Sequence, residues 1–180
     1  WFKWHNQQRD LGEPAIIAGI THTIIKDYHI DTRRVYVAGI SAGGALAATM
    51  ATLYPELYTA VGVHSGLAYG SARDITSALR AMRGGKQILT SLAKNPLVPT
   101  IIFHGDEDTT IVSRNGERIF TQAKTQLPSH ITYQETITVE HPPEQHAYTR
   151  TRLTDPTGKT PLDYWLIHGA GHAWAGGSRD

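Results

Sequence analysis

The sequence predicts an α/β layered fold with a mostly parallel sheet and flanking helices. Short, partly β-branched runs at 35–38, 60–64 and 99–103 alternate with helix-compatible stretches, the pattern of strands joined by helical crossovers. Each run is followed by polar residues, and open sheets of this kind carry their chemistry at the carboxyl ends of the strands. Ser41 follows the first run, His64 and Ser65 end the second, Asp106 and Asp108 follow the third, and His172 follows a last run at 162–167. A length of 180 residues with 40% hydrophobic and 18% charged side chains suits one domain with a real core.

Taken in order, Pro14 and the isoleucines at 16, 17, 20, 24 and 25 have helical spacing and predict an amphipathic helix over 14–28. Asp31-Thr-Arg-Arg34 turns the chain into Val35-Tyr-Val-Ala38, which reads as a buried strand. The small-residue run 42–52 places Leu46, Met50 and Leu53 on one face and predicts a helix ending before Pro55. Residues 60–64 are the second strand. The stretch 66–95 has glycines at 66, 70, 84 and 85 and holds at most two short helices, so it reads as a lid or insertion. Residues 99–103 are a third strand, 114–126 a helix, and 133–139 a strand alternating Thr with apolar residues. Runs at 148–153 and 162–167 flank Asp155-Pro-Thr-Gly158, a turn joining two strands.

Composition excludes several classes of function. With 17 Lys+Arg against 16 Asp+Glu the net charge is +1, and the basic residues are scattered, which argues against a nucleic-acid partner. No run approaches the length of a membrane span, so no membrane partner is expected. The absence of cysteine rules out disulfides, iron–sulfur clusters and thiolate zinc sites. The aromatic start (Trp1, Phe2, Trp4) has none of the features of a signal peptide, and 175–180 is loop-like. Both ends read as cuts through a larger domain.

Gly39-Ile-Ser41-Ala-Gly43 is a G-x-S-x-G pentapeptide between a strand and a helix. Small residues around Ser41 permit the strained turn that lifts a nucleophilic hydroxyl clear of a sheet, and the Ala42 N–H at the helix start is aimed to stabilise an oxyanion. The plainer alternative is a tight turn with Ser41 as helix cap. Ser65 is the rival nucleophile, but it lacks a small residue two positions before it and a helix directly behind it, so it reads as pocket lining. Phe103-His-Gly-Asp-Glu-Asp108 offers three carboxylates at a strand end. The spacing favours Asp108, three after Gly105, as the acid, with Asp106 bracing the loop. Among 10 histidines, His172 alone follows both other candidates in a glycine-flanked strand-end loop. His168 and His172 have the spacing of a helical zinc pair, but Gly169 and Gly171 argue against a helix. The segment containing His141 and His146 reads as exposed loop. The order Ser41, Asp108, His172 is that of the α/β-hydrolases.

Four segments carry a family resemblance: Arg34-Val-Tyr-Val-Ala-Gly-Ile-Ser-Ala-Gly-Gly44, Val63-His-Ser-Gly66, Phe103-His-Gly-Asp-Glu-Asp108 and Gly169-Ala-Gly-His-Ala-Trp-Ala-Gly-Gly177. Together they resemble the polyhydroxybutyrate depolymerase-like esterases, α/β-hydrolases related to feruloyl and acetylxylan esterases. The resemblance implies Ser41 as nucleophile, Asp108 as acid and His172 as base, with His64 and Trp174 near the acyl pocket. It implies an exported enzyme acting on polyester or on esters of plant polysaccharide; the serine mechanism itself needs neither metal nor organic cofactor. It also implies that the chain is the C-terminal two-thirds of a single catalytic domain, incomplete at both ends. Family members carry an upstream His-Gly loop that donates a second oxyanion N–H, and residues 1–40 contain no counterpart.

The expected chemistry is acyl transfer from an ester to Ser41 and then to water. A peptidase or acyltransferase would use the same triad, and a non-catalytic hydrolase-like fragment is the alternative that the missing loop suggests. Tyr69, Trp165 and Trp174 are candidates to stack on a phenolic acyl group or to line a polyester groove, and equally candidates for plain packing.

Overall fold

The computed structural model describes residues 5, 7–87, 92 and 94–175. Helix α1 (Gly12–Asp27) opens with Glu13 and Pro14 in its first turn. There a carboxylate meets the positive end of the helix dipole, and proline lacks only an N–H that would have no partner. A 3-10 turn at Thr32–Arg34 is capped by Asp31, whose carboxylate accepts from Arg33 N–H. The chain continues through β1 (Tyr36–Ile40), α2 (Ala42–Leu53), β2 (Ala60–His64) and α3 (Ile75–Met82). It ends with β3 (Thr100–Gly105), α4 (Arg114–Lys124), β4 (Gln134–Glu140), β5 (Tyr148–Thr154) and β6 (Leu162–Ile167). Within the lid-like stretch, α3 starts at a capping box in which Asp74 and Ser77 satisfy each other's backbone N–H groups. Residues 88–91 and 93 of that stretch lie outside the described residues.

The six strands form one mixed, mostly parallel sheet in the order β1-β2-β3-β6-β5-β4. β1, β2, β3 and β6 run parallel to one another, so their carboxyl ends line one edge. β5 pairs antiparallel with both β6 and β4. The β5–β6 turn forms around Asp155, whose carboxylate accepts from the N–H groups of Thr157 and Lys159. It is the predicted Asp-Pro-Thr-Gly turn.

Helices α2 and α4 cover one face of the sheet. Met50, Val63, Ile102 and Leu162, all at most 1% exposed, meet Ile119 and Phe120 in the main core cluster. On α1, Ile17 and Ile25 pack against this cluster and Pro14 and Ala18 are buried. Ile16, Ile20 and Ile24 instead stand 61%, 56% and 46% exposed. The isoleucines therefore occupy two sides of the helix. Four-residue spacing fits either stripe, so only the contact with α2 decides which one is inside.

The β1–α2 junction is where backbone closeness demands glycine. A Cβ on Gly39 would lie 2.3 Å from both the carbonyl carbon and oxygen of Gly43, and one on Gly44 would lie 2.9 Å from the His64 carbonyl oxygen. Gly43, the second glycine of the pentapeptide, has open space where its Cβ would be. Gly39→Ala is therefore expected to destabilise the fold at or above the upper end of the usual overpacking cost of about 1–3 kcal/mol. Gly43→Ala should change stability by much less. Urea unfolding of the two variants side by side checks the contrast, and equal stabilities would contradict it.

Candidate active site

Ser41 sits between β1 and α2 with φ 58 and ψ -123, a backbone conformation disfavoured for any residue with a side chain. Its N–H donates to the His64 carbonyl at 3.0 Å, so the turn is pinned to the end of β2. Ser41 is the N-cap residue of α2, but its side chain makes no helix-capping hydrogen bond. Ala42 is the first residue of α2 and is exposed, leaving its N–H at the positive end of the helix.

Asp108 lies beyond β3 and is 3% exposed. Its Oδ1 accepts from the N–H groups of Thr110 at 2.9 Å and Ile111 at 2.8 Å. Its Oδ2 faces His172 Nδ1 at 2.7 Å. Burial pushes the Asp108 carboxyl upward, but the His172 hydrogen bond, the Ile111 N–H, the imidazole's charge and the Ser65 hydroxyl together hold it below the ordinary aspartate range. With Nδ1 donating to Asp108, His172 Nε2 is left as the acceptor. Among the described residues neither the Ser41 hydroxyl nor His172 Nε2 has a hydrogen-bond partner.

A fully buried His104 backs the acid. Its Nε2 donates to the Ile111 carbonyl at 2.6 Å and lies 3.5 Å from Asp108 Oδ2. Burial lowers the His104 pKa and keeps the ring neutral. Sequence reasoning misses this histidine, although its place two residues before Asp106 in the strand-end motif is a visible signal.

Asp106 forms a second, separate pair. It takes His168 Nδ1 at 2.7 Å and the Gly169 N–H at 2.8 Å, while His168 Nε2 lies 2.9 Å from the Thr149 hydroxyl. Burial pushes the Asp106 carboxyl up, and the His168 and Gly169 hydrogen bonds bring it below its ordinary value. These contacts tie the start of the His172 loop to the acid loop. His168 and His172 thus each face their own aspartate.

His64 and Ser65 are both buried at the end of β2. His64 is 3% exposed, and its Nδ1 meets Ser65 Oγ at 3.1 Å while its Nε2 accepts the Ala175 N–H at 2.9 Å. Both ring nitrogens are used and the ring is packed against Phe103 and Trp174. Ser65, the rival nucleophile and supposed pocket residue, is fully buried. Trp174 is 58% exposed and meets His64 edge-on, with centroids 5.3 Å apart.

Trp165 is built into the sheet face between Phe103, Tyr148 and the Arg150 guanidinium. The Tyr69 hydroxyl donates to the Gln7 carbonyl at 2.9 Å, which makes it a structural tie. A cleft of about 820 Å³ lined by Phe103, Tyr148, Trp165 and Trp174 lies beside the His172 loop, and neither Ser41 nor His172 lines it. Residues 176–180, including the end of the glycine-rich motif, lie outside the described residues.

Burial holds His64 neutral by lowering its pKa to about 4, with nearby His104 and His172 adding to the effect. The unfolded ring takes a proton near pH 6.5, so stability linked to His64 is complete above pH 6.5 and is lost as pH falls towards 4. The full loss is on the order of 3 kcal/mol. Urea unfolding across this range should show that decrement in the wild type, and it should shrink in His64→Gln. An identical pH slope in both would refute the assignment.

The family model described as Esterase PHB depolymerase matches residues 1–132, a span that contains Ser41 and Asp108. A probable acetylxylan esterase A of Neosartorya fischeri is 31% identical over 120 residues, covering 58% of this chain and 33% of that protein. Poly(3-hydroxyalkanoate) depolymerase C of Paucimonas lemoignei is 29% identical over 126 residues, covering 64% of this chain and 30% of its own length. The chain thus spans about a third of the length of the curated relatives it matches. The solved acetyl xylan esterase of Aspergillus awamori superposes with a TM-score of 0.72 at 22% identity, over 96% of this chain and 67% of that one. The α/β fold is that of esterase structures, and the chain belongs to the PHB depolymerase esterase family, related to acetylxylan and feruloyl esterases.

Proposed function

We propose that the protein hydrolyses carboxylic esters through Ser41 as nucleophile, His172 as general base and Asp108 as the acid that orients it. The observation that carries this reading is the 2.7 Å contact of His172 Nδ1 with a buried, backbone-anchored Asp108, which reserves Nε2 for a proton from Ser41. The Ser41–His172 hydrogen bond is not made in this structure, and such bonds commonly tighten only with substrate in place. In the first step His172 Nε2 takes the Ser41 proton as Oγ attacks the ester carbonyl. Asp108 stabilises the imidazolium, the Ala42 N–H faces the oxyanion, and the same proton passes to the leaving alcohol. Water then repeats the sequence on the acyl-serine and frees the acid.

The substrates this reading favours are polyhydroxyalkanoate-type polyesters or acetyl and feruloyl esters on polysaccharide, in keeping with what the relatives are named for. Such polymers are met outside the cell, and we place the enzyme there. Among the described residues no helix is long and apolar enough to cross a membrane. We further read residues 1–180 as part of one catalytic domain, with 66–95 as its lid. Ala42 accounts for one oxyanion donor, and a donor of this kind is worth about 10²–10³ in rate.

The test is p-nitrophenyl butyrate turnover together with labelling by a fluorophosphonate. Turnover and a label on Ser41 support the reading. A folded chain that neither turns over ester nor takes the label at Ser41 is a non-catalytic hydrolase-like fragment.

A further inference from the structure

We propose that His64 and Ser65 form a buried relay that clamps the loop bearing the base to the end of β2 and backs the Asp108 carboxylate. The proposal rests on the triad reading above and gives a role to two residues which that reading leaves unused. Its starting point is a group whose direction cannot change. The Ala175 N–H can only donate, and it lies 2.9 Å from His64 Nε2. That nitrogen must therefore be the unprotonated one.

A neutral imidazole has a single N–H, so His64 carries it on Nδ1, 3.1 Å from Ser65 Oγ. Having accepted there, the Ser65 hydroxyl keeps its own hydrogen for the Asp108 carboxylate, whose pKa it helps to lower. Asp108 is anchored from the other side by the N–H groups of Thr110 and Ile111. The carboxylate can only accept, so His172 donates from Nδ1 and Nε2 stays free to act as base.

The relay also closes on itself. Ala175 is three residues beyond His172, so the short segment 172–175 is held at one end by Asp108 and at the other by His64. Ser65 is 0% exposed and His64 3%, so water does not compete for these hydrogen bonds. Ser65 adopts φ 45, a left-handed conformation unusual for serine, in the course of meeting both partners. The lowered His64 pKa agrees with this polarity, since protonating Nε2 would expel the Ala175 N–H. His64 and Ser65 are positioning residues and do not touch substrate.

Two measurements test the proposal. Long-range nitrogen–proton correlation spectra of the ligand-free wild-type protein at pH 7 should show His64 neutral, protonated at Nδ1 and bare at Nε2. A His64 found protonated at Nε2, or cationic, overturns it. In p-nitrophenyl butyrate kinetics, Ser65→Ala should lower kcat about 10–100-fold with KM within about twofold, as expected for losing a hydrogen bond to a charged group. Wild-type kcat in a folded Ser65→Ala, or a rise in KM alone, overturns it as well. The spectra need no turnover and use the unmutated chain. They therefore test the His64 contact with the Ala175 N–H even if Ser65→Ala fails to fold or the triad reading itself fails.

Discussion

Replacing Ser41 by alanine is expected to lower kcat for p-nitrophenyl butyrate on the order of 10⁶-fold, the scale seen when a serine hydrolase loses its nucleophile. The loss should come without unfolding, because the Ser41 hydroxyl has no partner among the described residues and caps nothing. A paired variant separates chemistry from backbone strain. At φ 58 and ψ -123 a Cβ is costly, and strain of this kind amounts to about 1–3 kcal/mol. Ser41→Gly removes it, offset by about 0.5–1 kcal/mol for the greater freedom of glycine in the unfolded chain. Both variants should be inactive, with Ser41→Gly the more stable in urea. Turnover retained by Ser41→Ala would remove Ser41 from the mechanism. A glycine variant less stable than the alanine variant would mean that the turn is not strained.

Asp108→Asn should lower kcat about 10⁴-fold while preserving the fold. The backbone dictates the reason. Thr110 and Ile111 both donate to Oδ1, so an amide introduced at position 108 must place its oxygen there and its NH₂ towards His172. His172 Nδ1 would then have to accept, the proton would move to Nε2, and the nitrogen facing Ser41 could no longer take one. Steady-state kinetics should show the loss in kcat with KM little changed. Asp106→Asn, which touches only the His168–Gly169 contacts, should lose far less. If the Asp106 variant were the more damaged of the two, the roles assigned to the aspartates would be reversed.

Much of this site is legible in the sequence because parallel strands confine chemistry to their carboxyl ends. With strands at 35–38, 60–64, 99–103 and 162–167, Ser41, Asp108 and His172 have to approach one edge of the sheet. The helices and strands themselves are legible because their apolar periods are long enough to be distinctive. Residues whose roles depend on direction are harder to place. Ser65 looks like a pocket residue when read along the chain, since a strand end places it at the site but does not say which way its side chain turns. His104 escapes notice for the same reason. The second apolar stripe of α1 has the spacing of a buried face and lies exposed, because the packing partner, not the period, chooses the inner side.

What the sequence by itself determined is the order of elements, the strained elbow at Ser41 and the membership of Asp108 and His172 in the same strand-end cluster. All of these follow from local rules: side-chain periodicity, glycine where Gly39 meets Gly43, and the topology of parallel strands. Only the tertiary structure decided which aspartate faces which histidine, and that His64 and Ser65 stand behind the acid. Those assignments depend on contacts between residues more than 60 apart in the chain, such as His172 with Asp108 and Ala175 with His64. Hydrogen-bond direction is settled by geometry within about 3 Å, a scale that no linear pattern encodes.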